Sequence, residues 1–137
     1  MDLSGLNWLA IAIAFVAAFI ASFIWFGPKT FYPIWWQAMG RTPEDTPGSS
    51  SMGVVFGLTA LSTFIYTVVT AWVVHVAGAH SLGAGAVTGF ILGAGVAATS
   101  SLGHRLFAGH GLKVWAIEVG SDVLNFVIIG AIVGVMH

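Results

Sequence analysis

Two carboxyl groups and an amide lie within the apolar stretch "WAIEVGSDVLNFVIIGAIVGV". At about 100° per residue, Glu118, Asp122 and Asn125 share one side of a helix with Ser121. Ionisable side chains in a membrane-spanning helix indicate a polar path or a proton relay as the default hypothesis. The alternative is structural, because hydrogen bonds between membrane helices also fix their rotation and pairing, at about 0.6 kcal/mol each.

A stripe of hydroxyl groups at spacings of three and four residues marks an earlier apolar run. It consists of Thr59, Ser62, Thr63, Tyr66, Thr67 and Thr70. The two helices would run in the same direction, so Thr63 lies level with Asp122 and Tyr66 level with Asn125. This matching depth predicts that hydroxyl donors on one helix meet acceptors on the other.

Glu118 has two candidate partners at the end of the third apolar run. Arg105 has a long side chain that can bend toward the interface, and His104 continues the small face of that run. A metal site made by His104, His110 and Glu118 matches no metal-binding motif, so neither a metal nor a cofactor is expected. The serine, histidine and aspartate residues form no nucleophile-elbow motif, and an enzyme is therefore not expected.

Composition indicates that the elements holding these side chains are membrane helices. Hydrophobic residues make up 58% of the chain and charged residues 7%, whereas charged residues make up about 25% of a typical soluble domain. Four runs reach the roughly 20 apolar residues that a span requires. They are Leu6–Phe26, Val54–Val76, Leu82–Leu102 and Val114–Val135. We therefore predict an all-α fold, an integral membrane bundle of four transmembrane helices in the lipid bilayer, with residues 1–137 as a single membrane domain.

Net charge and cysteine content exclude some classes of partner and some kinds of chemistry. The net charge of −1 gives no basic patch for nucleic acid. The absence of cysteine excludes disulfides and thiolate chemistry. The intramembrane polar groups are therefore the main indication of a function in this sequence.

All four cationic side chains fall on one side of the predicted bundle. They are Lys29, Arg41, Arg105 and Lys113. All four lie within the connections 27–53 and 103–113. By the positive-inside rule these connections are cytoplasmic, so we expect a multi-pass protein of the cell membrane with both termini outside.

Aromatic residues are concentrated directly after the first run, in "KTFYPIWWQAMG". Aromatic side chains with polar tips settle at the level of the lipid headgroups, so we predict a short interfacial segment between helices 1 and 2. Trp25, Trp35 and Trp36 are its expected anchors. A partner-docking surface made by Trp35 and Trp36 is the alternative.

Small residues form ridges at four-residue spacing on two of the runs. The ridge on the third run is Gly85, Gly89, Gly93 and Ala97, and the ridge on the first is Ala10, Ala14, Ala18 and Ser22. Such ridges let helix backbones approach closely in lipid, but they do not say what packs against them. An intrachain core and an oligomer seam both stay open, and we expect a homo-oligomer or a larger membrane complex.

Residues between Asn7 and Gly40 carry a resemblance to a known family. They are Asn7, Trp8, Trp25, Gly27, Pro28, Phe31, Trp36, Met39 and Gly40. With the Gly-rich third run and the polar last one, the chain resembles the small bacterial membrane proteins of the domain of unknown function 1761. The resemblance covers nearly the whole chain. It implies a four-helix membrane protein and brings no activity, substrate or catalytic residue.

Two classes of function are compatible with these patterns. One is a small permeation or proton-coupled transport unit with a polar face on helices 2 and 4. The other is a structural or accessory subunit of a membrane complex or homo-oligomer, without chemistry of its own. A continuous wet cavity along the polar faces would favour the first, and fully paired, dry faces would favour the second.

Overall fold

The computed structural model of the chain describes residues 3–27, 30–40 and 52–136. The helices are α1 (Trp8–Trp25), α2 (Tyr32–Ala38), α3 (Met52–Val76), α4 (Leu82–Leu92), α5 (Thr99–Phe107) and α6 (Gly111–Val135). A π-helix over Gly93–Ala98, called the π segment below, joins α4 to α5 without a break. No strand occurs in the described ranges.

Within the described residues, four helices are long and apolar enough to span a membrane. They are Trp8–Trp25, Gly53–Val76, Leu82–Phe107 and Gly111–Val135, which confirms the predicted all-α bundle. The largest difference from the predicted boundaries is in the third span, which continues to Phe107 instead of ending at Leu102. Gly109 sets this later end, because its φ of +79° is the left-handed conformation in which glycine commonly terminates a helix.

The last helix, α6, is the centre of the bundle and contacts all five other helices. A core of buried side chains joins α6 to α1 and α3, with Ala14, Ala71 and Ile129 among its members. The small ridge predicted on α1 lies in this core, since Ala10, Ala14 and Ala18 are all fully buried. Small side chains on α1 therefore allow the three helices to approach closely.

The two ends of the bundle differ in what they hold. At one end, the amide group of Asn7 caps the start of α1 and donates to the carbonyl oxygen of Met136 after α6. We call this the terminal end. The opposite end holds Gly27, after α1, and the turn at Gly109 between α5 and α6, and we call it the loop end. Of the four cations, Arg105 and Lys113 lie at the loop end, while Lys29 and Arg41 lie outside the described residues.

The glycine ridge of α4 packs against α6 within the chain. A Cβ built on Gly85 would lie 2.0 Å from the carbonyl oxygen of Gly130, and one on Gly89 would lie 2.0 Å from that of Phe126. Gly93 likewise faces the Cα of Val123. Of the two alternatives left open by the sequence, these three glycines therefore form an intrachain contact.

The π segment moves this ridge by one residue. The four-residue spacing includes Ala97, but Ala97 is only half-buried, and Ala98 is buried with 6% of its surface exposed. A π-helical turn contains an extra residue, so the fifth residue after Gly93 takes the position facing α6. The carbonyl oxygen of Ala98 accepts a hydrogen bond from the Trp115 indole at 2.9 Å. The packing residue is therefore Ala98, a correction to the predicted Ala97.

Candidate functional site

A cavity of about 490 Å³ opens at the loop end of the bundle, between α1, α2 and α3, and reaches Glu118 of α6. Seven of the twelve described residues that line it are aromatic, and we call it the aromatic cavity. Its lining consists of Phe19, Ser22, Phe23, Phe26, Tyr32, Trp35, Trp36, Val55, Phe56, Thr59, Thr63 and Glu118.

The short helix α2 supplies one aromatic wall of this cavity. Pro33 lies in the first turn of α2, where its missing N–H costs no helical hydrogen bond. The ring of Tyr32 stacks on that of Trp36 with centroids 5.5 Å apart, and the Trp35 ring lies 5.9 Å from both. Trp36 is buried in the protein, and Trp35 is partly buried beside it. The two expected interfacial anchors therefore form the wall of a cavity.

Trp25, the third expected anchor, ties α1 to α6. Its indole N–H donates to the carbonyl oxygen of Ile117 at 2.8 Å, and its ring lies 4.5 Å from that of Phe31. Gly120 leaves room for the indole, because a Cβ there would lie 2.5 Å from the Trp25 ring. Trp25 thus fixes the position of α1 against the helix that carries Glu118.

Phe23 of α1 and Phe56 of α3 form the opposite wall. Their rings stack with centroids 6.2 Å apart and planes inclined by 20°. They are 55% and 45% exposed, so their outer faces look away from the protein, toward the position of lipid. The pair therefore separates the aromatic cavity from the surroundings of the bundle.

Glu118 is the carboxylic acid in the described part of the lining. It lies about 10 Å along the axis of α6 from Gly111, at a rise of about 1.5 Å per residue. Oε2 of Glu118 accepts a hydrogen bond from Nη2 of Arg105 in an ion pair. Arg105 is one of the two partners considered from the sequence. The other, His104, is exposed on α5, and no contact within the described residues joins its ring to Glu118.

His110 holds Arg105 from the other side. Nη1 of Arg105 lies 2.8 Å from Nδ1 of His110. A guanidinium group only donates, so this contact is a hydrogen bond only while Nδ1 of His110 is unprotonated. Glu118, Arg105 and His110 therefore form a chain of polar groups from the aromatic cavity to the turn between α5 and α6.

Asn125 joins three helices one layer deeper. Its Nδ2 donates to Oγ of Ser22 on α1 at 2.8 Å and to the hydroxyl oxygen of Tyr66 on α3 at 3.2 Å. Asn125 is 3% exposed, and its Oδ1 is buried without a hydrogen-bond partner among the described residues. Sequence spacing placed Tyr66 at the depth of Asn125, and the two side chains do meet.

The threonine hydroxyls of α3 do not donate to α6. Each donates to a carbonyl oxygen four residues earlier in its own helix, at 2.6–2.9 Å. The four residues are Thr59, Thr63, Thr67 and Thr70. The expected pairing with acceptors on α6 is therefore wrong for these hydroxyls, because a helical threonine reaches its own backbone more easily than a neighbouring helix.

Two further predicted residues of α6 lie beside the cavity lining. Ser121 is buried, and Asp122 is half-buried about 6 Å beyond Glu118 along the axis. In the described part of the chain, no hydrogen bond or ion pair to the Asp122 carboxylate is present. The structure thus brings Glu118, but not Asp122, into the cavity.

A second, smaller cavity lies at the terminal end. It has a volume of about 210 Å³, and Asn7, His75 and His80 contribute its polar lining. Between the two cavities, α1, α3 and α6 contribute side chains that are fully buried. They are Ala14 and Ala18 of α1, Thr67 and Thr70 of α3, and Ile129 of α6. We call this packed layer the plug.

The sequence did not lead us to predict the aromatic cavity, although it contains part of the pattern that forms the cavity. Phe15, Phe19 and Phe23 repeat at four-residue spacing on α1, and their rings lie 5.4–5.7 Å apart in sequence order. This repeat indicates an aromatic face on α1. It does not indicate a cavity, which depends on the positions of α2 and α3.

The family model described as "Protein of unknown function (DUF1761)" matches residues 9–134. No curated protein and no solved structure matches the chain. The match runs from α1 to the last turn of α6 and includes the aromatic cavity and the plug, whereas Gly5, Leu6 and Asn7 of the smaller cavity precede it. The chain therefore belongs to the DUF1761 family of proteins of unknown function.

Proposed function

We propose that this protein is a small transport unit whose cargo enters the aromatic cavity and whose coupling group is Glu118. The observation that carries the proposal is that the cavity brings a carboxylate of a membrane-spanning helix into contact with open space. Intramembrane ionisable groups are costly and typically mark ion, proton or substrate pathways. A partly buried acid at the end of a cavity provides a group that can exchange a proton or hold a cation.

The positions of the two cavities support the proposal. They lie at opposite ends of the bundle, and the plug separates them. Transporters that work by alternating access bind their substrate near the bilayer midplane and open to one side at a time. A large cavity at one end and a packed layer beyond it fit the state that is open to the loop end.

Polar groups continue from Glu118 toward the plug. Asn125, Ser22 and Tyr66 form the next hydrogen-bonded layer. The free Oδ1 acceptor of Asn125 adds an unpaired polar atom in that layer, within the described residues. These groups supply hydrogen-bonding positions between the cavity and the plug.

A structural or accessory role is the second candidate, and one observation favours it. The hydroxyl groups of Thr59, Thr63, Thr67 and Thr70 are all paired with carbonyl groups of their own helix. Glu118 is likewise paired with Arg105. Such pairing holds helices together without requiring any traffic.

Flux through reconstituted vesicles tests the proposal. We expect wild-type protein to support pH-driven uptake of protons or cations. Glu118→Gln should lower that flux by roughly tenfold or more, because an amide keeps the size of the acid but cannot exchange a proton at neutral pH.

Thr88→Val is the matched control, since Thr88 of α4 donates its hydroxyl to Ala84 and lines neither cavity. The Thr88 variant should keep the wild-type flux. Absence of flux in wild-type vesicles, across protons, monovalent cations and small organic solutes, would favour the accessory role.

We further propose that the loop end faces the cytoplasm. The support is the position of Arg105 and Lys113 there, together with the sequence positions of Lys29 and Arg41 in the connection between the first two spans. A reporter that works only outside the cell should then be active when it is fused to the C-terminus, and a reporter that works only in the cytoplasm should be silent there. The same two reporters inserted between Arg105 and Lys113 should give the opposite results. A cytoplasmic C-terminus would contradict this orientation.

A further inference from the structure

We infer that the aromatic cavity binds a lipophilic organic cation, such as a quaternary ammonium or phosphonium centre carrying apolar groups. Nothing in the family description assigns a ligand to this cavity. The inference deepens the proposed function, on which it rests in taking the bound cation as the cargo. Binding can be measured without transport, so an experiment can contradict the cation site and the transport proposal separately.

The polar groups of the lining favour a positive charge. The hydroxyl protons of Thr59 and Thr63 are committed to backbone carbonyl groups, so these hydroxyls offer only oxygen lone pairs to a ligand. Glu118 adds a carboxylate, of which only Oε2 is engaged in the described part of the chain. No Lys, Arg or His within that part lines the cavity. The lining also holds a neutral hydrogen-bond donor, the Trp35 indole N–H, which has no partner among the described residues. An anion would therefore find a neutral donor there but no positive charge to balance its own.

The aromatic rings favour an organic cation over a metal ion. The faces of Trp, Tyr and Phe rings attract a cationic centre within about 6 Å, and cages of such rings recognise quaternary ammonium groups. Hard inorganic cations instead require six to eight oxygen ligands around one point, whereas aromatic rings make up most of this lining. The rings of Tyr32, Trp35 and Trp36 on one side and of Phe23 and Phe56 on the other can enclose the apolar substituents.

The size and surroundings of the cavity suit such a ligand. Its volume of about 490 Å³ lies within the range of roughly 300–1,000 Å³ typical of small-molecule sites. Phe23 and Phe56 are half-exposed on the side where lipid would lie. A cation with apolar substituents partitions into the membrane interface and can therefore approach the cavity from the lipid.

Arg105 competes with the ligand for Glu118. Its guanidinium holds Oε2 without lining the cavity, so it lowers the attraction of the carboxylate for a second cation. The aromatic rings must then supply a large part of the affinity. This division predicts that both a ring variant and a carboxylate variant weaken binding, each without abolishing it.

Equilibrium binding of tetraphenylphosphonium to the protein in lipid nanodiscs tests the inference, with empty nanodiscs subtracted. Tetraphenylborate has the same shape and the opposite charge, so we expect it to bind far more weakly. Phe23→Leu should weaken phosphonium binding about 3- to 30-fold, because it removes one cation–π contact. Glu118→Gln should weaken it by a similar factor.

Phe90→Leu is the matched control for Phe23→Leu. Phe90 of α4 is 53% exposed, close to the 55% of Phe23, and lies outside both cavities. Its replacement should leave phosphonium binding unchanged. Equal effects of the two substitutions, or tighter binding of tetraphenylborate, would overturn the inference.

Comparison with vesicle flux separates the two proposals. Saturable phosphonium binding that depends on Phe23 and Glu118, without flux of any solute, supports the cation site and contradicts the transport proposal. Proton flux that depends on Glu118, with no saturable phosphonium binding, supports transport and overturns the cation site.

Discussion

Replacing Gly89 by alanine should lower the free energy of unfolding by about 3 kcal/mol, the upper end of the usual cost of overpacking. The added Cβ would lie 2.0 Å from the carbonyl oxygen of Phe126 and 2.6 Å from its carbonyl carbon. These are backbone atoms of α6, which cannot rotate away as the tip of a side chain can. Relief of the clash requires α4 and α6 to separate along the contact that Gly85 and Gly93 share.

Helix propensity opposes this decrease in the free energy of unfolding, which makes the test more specific for the helix contact. Alanine is better than glycine in a helix by about 1 kcal/mol, so a net destabilisation at Gly89 measures the helix contact. Gly57→Ala in α3 is the matched control, because a Cβ there meets nothing within 4 Å. We expect Gly57→Ala to be neutral or slightly stabilising.

Unfolding by sodium dodecyl sulfate in mixed micelles, followed by tryptophan fluorescence, gives the free energies for both variants. The apparent size of the protein in lipid nanodiscs provides a second measurement. Unchanged stability of Gly89→Ala together with a smaller assembly would mean that the ridge joins separate copies of the chain. Lower stability without a change in assembly is the result expected from the contact with α6.

The four spans could be predicted from the sequence because their length and apolarity follow directly from the thickness of the membrane. The sequence could not predict every residue of the third span that packs against α6. A spacing of four from Gly93 gives Ala97, whereas the structure buries Ala98. The choice between α- and π-helical turns depends on how α4 and α5 pack on α6, and "GAGVAA" carries no local signal that separates them.

Depth along parallel helices predicted part of the candidate site. The reach of a long side chain offered Arg105 as a partner of Glu118, whereas depth brought Tyr66 to Asn125. Depth failed for the threonines because it says nothing of the competing carbonyl group four residues earlier in the same helix. The aromatic cavity was missed because side chains of α1, α2, α3 and α6 form it together, and their combination depends on how whole helices are arranged.

Replacing Arg105 by glutamine should destabilise the protein by about 3 kcal/mol, the lower end of the range for breaking a buried ion pair. The lower end applies because 29% of the Arg105 side chain and 22% of that of Glu118 are exposed. Loss of the guanidinium leaves the Glu118 carboxylate without its partner inside a membrane-spanning helix. Unfolding in mixed micelles again gives the free energy.

A double-mutant cycle separates the ion pair from the shapes of the two side chains. Glu118→Gln alone leaves a neutral acceptor for Arg105 and should cost less than Arg105→Gln. The variant with both substitutions buries no charge at either position, and we expect it to recover most of the lost stability, because neutral replacements of a buried pair are often tolerated. A coupling energy near zero would mean that the pair is too well solvated to hold α5 against α6.

The stable double variant also distinguishes the two candidate functions. If Glu118 and Arg105 serve only to join α5 to α6, a folded protein with glutamine at both positions should replace the wild type fully in cells that depend on it. If Glu118 exchanges protons or binds a cation, the same folded protein should lose the pH-driven flux that the wild type shows in vesicles. Because its stability is restored, loss of flux in this variant reflects the missing carboxylate and not a failure to fold.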